Sequence, residues 1–167
     1  VQIQMLRENG FTHIEPRFLG DRNIADLSGT EARLLKAKLG DLKVSSIGSP
    51  IGKIKLDAPF EPHFEMFQQV VKTAKILDAR YIRMFSFYHD GGDVWSDEER
   101  AEVLDRLRRM IVYAAENHVV LLHENEKDIY GDTADRCAEL MKELYCDNFK
   151  AVFDPANFVQ CKQDTKY

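Results

Sequence analysis

The chain has 167 residues, 44% of them hydrophobic, and a net charge of −5, which allows one sizeable core and argues against a disordered, collagen-like or repeat protein. Its 28 acidic and 23 basic residues are mixed along the sequence, so we expect no surface for nucleic acid or an anionic membrane. Three cysteines without a CxxC pair, and no apolar stretch of the ~20 residues that a bilayer span needs, favour a cytoplasmic protein with reduced thiols.

Short apolar strands alternate with helices along residues 1–167, which we take as one domain. After a helical segment from Val1 that Asn9-Gly10 ends, the predicted strands cover residues 11–15, 42–47, 81–87, 119–123 and 150–153. The predicted helices cover residues 31–39, 62–77, 97–117 and 133–144, and the third begins at a capping box, Ser96 to Glu99. This alternation indicates a buried parallel sheet, and it leaves a (β/α)8 barrel and an open doubly wound sheet as alternatives.

Carboxylates recur where the predicted strands end, at the edge where parallel α/β folds place their functional groups. Side chains alternate between the faces of a strand, so Glu124 shares a face with Leu122 while His123 points to the opposite side. By the same rule Asp154 shares a face with Val152. If these apolar residues fill the interior, Glu124 and Asp154 converge at one end of it.

Two converging carboxylates predict a divalent cation, Mn²⁺ or Mg²⁺ with oxygen ligands alone, or Zn²⁺ if a histidine joins them. The alternative is that each acidic residue is only a helix N-cap or a solvated loop charge. Glu15, at the end of the first strand, is equally open: it could bind a substrate hydroxyl, or pair with Arg17 or Arg22.

The segments His123-Glu124-Asn125-Glu126 and Phe153-Asp154-Pro155-Ala156-Asn157 resemble metal-binding strand ends of the xylose-isomerase-like TIM barrel family. The family contains sugar epimerases, ketose isomerases, inosose dehydratases and endonuclease IV. The resemblance implies a (β/α)8 TIM-type barrel in which Glu124 and Asp154 bind the metal and Glu124 also acts as acid and base. It places Asn157 where many members carry a substrate-binding histidine, so we expect Asn157 to contact the substrate with a different chemistry.

The resemblance also implies that two further metal ligands, a histidine and a second glutamate, belong to strands beyond Tyr167, and that a first strand is missing. A (β/α)8 barrel needs about 200 residues or more, so we expect 167 residues to form an incomplete barrel with about five strands. Unpaired strand edges favour association, and a homo-oligomer is therefore predicted.

The predicted function is that of a metal-dependent sugar or sugar phosphate isomerase or epimerase, acting by proton transfer next to a carbonyl. One alternative is a phosphodiester hydrolase of the endonuclease IV type. It is less favoured, because Asn157 stands where its zinc cluster would need a histidine. The other alternative is a barrel remnant without catalytic activity, which would not bind metal.

Overall fold

Strands and helices alternate along residues 2–91 and 94–165, which are the parts of the chain that the computed structural model describes. The helices are α1 (Gln2–Glu8), α2 (Gly29–Leu39), α3 (Phe60–Ile76), α4 (Asp97–Glu116), α5 (Ala134–Leu144) and α6 (Pro155–Gln160). The strands are β1 (His13–Ile14), β2 (Phe18–Leu19), β3 (Arg22–Asn23), β4 (Lys43–Val44), β5 (Ile47–Gly48), β6 (Tyr81–Met84), β7 (Val120–Glu124) and β8 (Phe149–Val152). Val1, where the predicted first helix begins, lies outside the described residues.

The main sheet is parallel, with the strand order β5-β6-β7-β8, and β1 pairs in parallel with β4. β4 and β5 are the two ends of one predicted strand, residues 42–47. The segment from Ser45 to Gly48 continues along the first strand: the amide of Ser45 donates to the carbonyl of Ile14 at 3.0 Å, and the amide of Gly48 donates to the carbonyl of Pro16 at 3.1 Å. Five parallel strands therefore follow one another in chain order, as in part of a (β/α)8 barrel.

The core lies between the sheet and the helices that cover its outer face. One row of side chains crosses the four paired strands at the same level and is fully buried: Ile47, Ile82, Leu121 and Phe149. From the helices, Phe67 and Leu107 belong to the same buried cluster. This apolar packing fixes which face of the sheet is turned to the helices, and it therefore fixes the positions of the strand ends.

Capping residues define the helix starts. The predicted capping box is present: the hydroxyl of Ser96 accepts from the amide of Glu99 at 3.1 Å, and the Glu99 carboxylate accepts from the amide of Ser96 at 2.8 Å. Thr133 caps α5, since its hydroxyl accepts from the amide of Arg136 at 3.4 Å. Ser28 and Glu31 form a second capping box, which starts α2 two residues before the predicted position.

β6 is shorter than predicted and ends at Met84 instead of Phe87. Beyond Met84 the backbone turns to another partner, since the amides of Phe85 and Phe87 donate to the carbonyls of Ile51 and Gly52. The antiparallel pair β2–β3 and the helix α6 were not predicted. Within the described residues, every helix is too short or too polar to cross a membrane.

Candidate functional site

A buried ion pair lies on the inner face of the sheet, where β6 and β7 end. Strand alternation turns Ile82 and Leu121 toward the helices and leaves Arg83 and Glu124 on the opposite face. The Arg83 guanidinium donates from Nη1 to Oε2 of Glu124 at 2.9 Å, and the two residues are only 8% and 9% exposed. Glu124 therefore has the inward orientation that alternation predicts.

His123 lies on the outer face, away from this pair. Its Nε2 is 2.9 Å from the Ser86 hydroxyl, which also accepts from the amide of Gly131 at 2.8 Å. Burial lowers the pKa of His123 to about 4, so the ring is neutral at pH 7. His123 thus packs behind the sheet, as predicted.

Glu15 extends the charged cluster to the first strand. Its Oε2 accepts from the Ser46 hydroxyl at 2.7 Å, and its Oε1 lies 3.8 Å from Nε of Arg83 and 3.5 Å from Nε of Arg17. Of its two predicted partners, Arg17 is the one in contact. Nε of Arg83 is buried and has no hydrogen-bond partner within the described residues. Arg83 thus lies between two carboxylates and keeps unused donor capacity.

Asp154 sits at the end of β8 and caps α6. Its Oδ1 accepts from the amides of Ala156 at 2.8 Å and Asn157 at 3.1 Å, which is the helix N-cap role of the alternative interpretation. Oδ2 accepts no hydrogen bond from the described part of the chain. An N-cap through one oxygen leaves the other oxygen for a ligand, so capping and metal binding are compatible here.

Two asparagines join the ends of β7 and β8. Asn125 donates from Nδ2 to the carbonyl of Asp154 and accepts at Oδ1 from its amide, both at 2.8 Å. Asn157 donates from Nδ2 to the carbonyl of Asn125 at 2.9 Å. The side-chain amide donor of Asn157 is therefore used within the protein, while its role in substrate binding stays a prediction.

A second ion pair crosses the same end of the sheet. Lys53, from the loop after β5, places Nζ 2.7 Å from Oε2 of Glu126, which follows β7. Nζ also lies 4.2 Å from the ring centroid of Phe85, and the guanidinium carbon of Arg83 lies 5.0 Å from the same centroid. Two cations thus contact one buried ring at the strand ends.

The loop that carries Lys53 is fixed by backbone contacts. Gly52 has a φ of 88°, and a Cβ there would lie 2.1 Å from the carbonyl oxygen of Phe85. Its amide donates to Nε2 of His63 at 2.8 Å, and burial lowers the pKa of His63 to about 4. The neutral His63 ring is thus an acceptor that holds the loop against the sheet.

Tyr88 lies beyond the end of β6 and pairs with this loop: its amide donates to the carbonyl of Ile54 at 2.8 Å, and its carbonyl accepts from the amide of Leu56 at 2.7 Å. Burial raises the pKa of its phenol, and the negative charges of Glu126 and Asp128 raise it further. The hydroxyl is therefore protonated at neutral pH and can donate a hydrogen bond. A protonated phenol suits recognition of an oxygen-rich ligand.

Glu124 and Asp154 each keep one carboxylate oxygen that the described residues do not use, and their metal-binding role stays a prediction. Oε1 of Glu124, like Oδ2 of Asp154, accepts no hydrogen bond from residues 2–91 and 94–165. Hard carboxylate oxygens are ligands for Mg²⁺ and Mn²⁺. No group of three or more histidine, cysteine, aspartate or glutamate side chains among the described residues is arranged to hold a metal. Further ligands would have to come from elsewhere.

Sequence reasoning did not identify Arg83 and Lys53. The signal for Arg83 was available, because a charged residue inside the apolar strand Tyr81–Met84 must be paired when it is buried. Lys53 gave no comparable signal, since its partner Glu126 is 73 residues away in the sequence.

A family model described as xylose isomerase-like TIM barrel matches residues 3–166. The chain belongs to this family. The fold class predicted from the sequence, an incomplete (β/α)8 barrel, is confirmed by this match and by solved structures.

Relatives in the xylose isomerase-like family include enzymes. The chain is 28% identical over 154 residues to a 3-dehydroshikimate dehydratase of Bacillus anthracis, covering 91% of this chain and 54% of the relative. A crystal structure of a probable 3-DHS dehydratase of B. anthracis, involved in petrobactin synthesis, has a TM-score of 0.80 and 25% identity, over 98% of this chain and 60% of the other.

A third match is a xylose isomerase-like TIM barrel protein of Mycobacterium smegmatis in complex with magnesium. Its TM-score is 0.68 and its identity 22%, over 92% of this chain and 54% of the other. At this identity the likeness shows the fold alone. The chain spans 54–60% of the length of these three relatives.

Proposed function

We propose that the protein transfers a proton next to a carbonyl group of a small hydroxylated substrate, at a divalent metal ion for which Glu124 and Asp154 supply two ligands. The observation that carries the proposal is the inward, buried Glu124 at the end of β7, with one carboxylate oxygen held by Arg83 and the other without a donor among the described residues. Such a group is oriented and still able to accept a proton. Sugar isomerisation and epimerisation both use this chemistry.

Glu124 is the proposed acid–base group and Arg83 its orienting partner. The bond from Nη1 to Oε2 holds the carboxylate on the inner face and leaves Oε1 for a proton or a metal ion. A divalent ion bound there would polarise the carbonyl oxygen and offset the negative charge that develops on it. Glu15 is the proposed partner of a substrate hydroxyl, because its Oε1 lies 3.8 Å from Nε of Arg83, the residue that also holds Glu124.

A second candidate is the dehydration of a cyclic hydroxy-ketone that carries a carboxylate, the class to which 3-dehydroshikimate belongs. It begins with the same step: Glu124 takes the proton beside the carbonyl, the electron pair forms a carbon–carbon double bond, and the hydroxyl on the next carbon leaves as water after protonation. The buried Nε of Arg83, which has no hydrogen-bond partner among the described residues, is a donor that a substrate carboxylate can use. The 28% identity to a dehydratase supports the same choice.

The metal pair is tested by Mn²⁺ calorimetry on the wild-type chain and on Glu124→Gln and Asp154→Asn. Each variant removes one anionic ligand, so we expect at least a tenfold loss of affinity in both. Glu126→Gln is the matched control, since Glu126 follows the same strand but is paired with Lys53; its affinity should stay within about twofold. Equal affinities in all four proteins would contradict a shared site.

The reaction is tested on the natural full-length protein with Mn²⁺ in D₂O. Proton abstraction next to a carbonyl exchanges that hydrogen for deuterium, which NMR detects in ketoses and in 3-dehydroshikimate alike. Loss of water from 3-dehydroshikimate would identify the dehydratase, and exchange in a ketose would identify the isomerase or epimerase. Glu124→Gln should abolish either signal.

The two rival functions give different results in the same assays. A phosphodiester hydrolase would cleave DNA at abasic sites and leave carbonyl substrates unchanged. A barrel remnant without activity would show neither Mn²⁺ binding nor exchange. Asn157, in place of a histidine, offers a softer metal no imidazole nitrogen, which disfavours the zinc-dependent hydrolase.

A further inference from the structure

The side chain of Asn125 acts in place of a backbone peptide group between β7 and β8. Its Nδ2 donates to the carbonyl of Asp154 and its Oδ1 accepts from the amide of Asp154, each at 2.8 Å. The residue is 3% exposed and directly follows Glu124. The buried side-chain amide of Asn125 thus links the residue that directly follows Glu124 to the backbone of Asp154.

The backbone ladder does not provide this connection. The pairing of β7 with β8 ends at Glu124 opposite Val152, and Asp154 lies two residues beyond. Within the described residues, the other hydrogen bonds of Asp154 are those of its own helix α6, which hold Ala156, Asn157 and Phe158. The two bonds from Asn125 are therefore what ties Asp154 to the strand that carries Glu124.

Asn157 completes the arrangement from the other side. It donates to the carbonyl of Asn125 at 2.9 Å, while its own amide is held by Oδ1 of Asp154 at 3.1 Å. Asn125, Asp154 and Asn157 thus form a closed ring of hydrogen bonds. Such a ring limits how far Asp154 can move from the strand that carries Glu124.

We propose that Asn125 is a positioning residue that sets the separation of the Glu124 and Asp154 carboxylates for a divalent cation. This proposal rests on the proposed function, because it assumes that the two carboxylates share a metal ion. A cation that needs a defined oxygen geometry binds weakly when one ligand is free to move, and the groups that orient metal ligands affect affinity accordingly.

The experiment compares Asn125→Ala with Asn148→Ala. Asn148 also connects β7 and β8 by a side-chain amide, donating to the carbonyl of Val119 at 2.7 Å, but at the opposite end of the strands. Asn125→Ala removes two hydrogen bonds between these chain segments and Asn148→Ala removes one, so both should lower the urea midpoint. Only Asn125→Ala should weaken Mn²⁺ binding in calorimetry, by tenfold or more, with Asn148→Ala within about twofold of wild type.

A milder variant covers the case in which Asn125→Ala does not fold. Asn125→Thr keeps one hydroxyl, which can make one of the two bonds to Asp154, and it should show an intermediate loss of affinity. Combining Asn125→Ala or Asn125→Thr with Glu124→Gln should add little to the loss from Glu124→Gln alone, since the pair is already broken.

The outcomes separate this proposal from the one it rests on. If all three variants, Asn125→Ala, Asn125→Thr and Asn148→Ala, bind Mn²⁺ as tightly as wild type, the positioning role is overturned and the metal pair stays intact. Equal losses in Asn125→Ala and Asn148→Ala would show a general effect of strand pairing, which also overturns it. Wild type without Mn²⁺ binding would remove both proposals.

Discussion

The outer and inner faces of the four-stranded sheet are built from alternate residues of the same strands, yet they differ in chemistry. The outer row is fully buried and apolar: Ile47, Ile82, Leu121 and Phe149. The inner row, one residue later in each strand, is Gly48, Arg83, Leu122 and Lys150. A register shift of one residue would exchange the two rows, so the outer row that stabilises the fold also determines where the inner charges lie.

The largest expected difference between the faces is in leucines that follow each other on β7. Leu121→Ala should lower the free energy of unfolding by about 2–5 kcal/mol, since it leaves a cavity in the layer between sheet and helices. Leu122→Ala, on the half-buried inner face, should cost roughly 1 kcal/mol. Urea denaturation of the two variants measures the contrast, and equal losses would mean that the inner face is as well packed as the outer.

The inner ion pair should matter for stability only when one partner is left alone. Glu124→Leu should cost about 3 kcal/mol, because Arg83 stays buried without its closest counterion. The double variant Arg83→Met/Glu124→Leu should recover most of this loss, as two apolar side chains remove the desolvation cost of both charges. A double-mutant cycle by chemical denaturation tests this. A double variant no more stable than Glu124→Leu would show that the pair itself stabilises the fold.

Acid should destabilise the protein through its two buried histidines, one on the outer face and one behind the loop of Lys53. The pKa values of His123 and His63 are lowered to about 4 by burial, below the usual 6.5. Between these values the unfolded chain binds protons that the folded protein does not, so stability falls as pH drops from about 6.5 to 4, by roughly 1 kcal/mol per pH unit for each histidine.

Urea titrations at pH 7 and 5 measure this loss, and His63→Gln and His123→Gln should each reduce it by about half. Glutamine keeps a hydrogen-bonding side chain and does not titrate in this range. A pH dependence that is the same in both variants and in wild type would assign the acid sensitivity to other groups.

Local patterns were sufficient for most of the fold. The five barrel strands, the Ser96 capping box and the inward orientation of Glu124 follow from spacing within one segment, and the structure has all three. Strand ends were less accurate. Phe85 and Phe87 continue the apolar run of β6, but their amides pair with the loop at Ile51 and Gly52, a contact that no local pattern contains.

The candidate site was harder to predict because its contacts are distant in sequence. Alternation predicts the face on which Glu124 lies, but it does not predict that the side chain of Arg83, 41 residues earlier, contacts Glu124 there. That depends on the register between β6 and β7, in which Arg83 is level with Leu122. Asn125 could likewise not be recognised, since its side chain bonds to a backbone segment whose position is set by the turn into α6.

The smallest expected change in the free energy of unfolding concerns β8, the edge strand of the main sheet. Val152 lies on the inner face of β8 and is 37% exposed, so Val152→Thr should change the free energy of unfolding by less than about 0.5 kcal/mol. Val71→Thr, the same change in the buried layer, should cost about 1–3 kcal/mol, because it buries a hydroxyl. If copies associate through the open edge, as predicted, Val152→Thr should also weaken self-association in sedimentation experiments while Val71→Thr does not. An unchanged monomer mass for wild type and both variants at all concentrations would contradict association and leave only the difference in stability between the two variants.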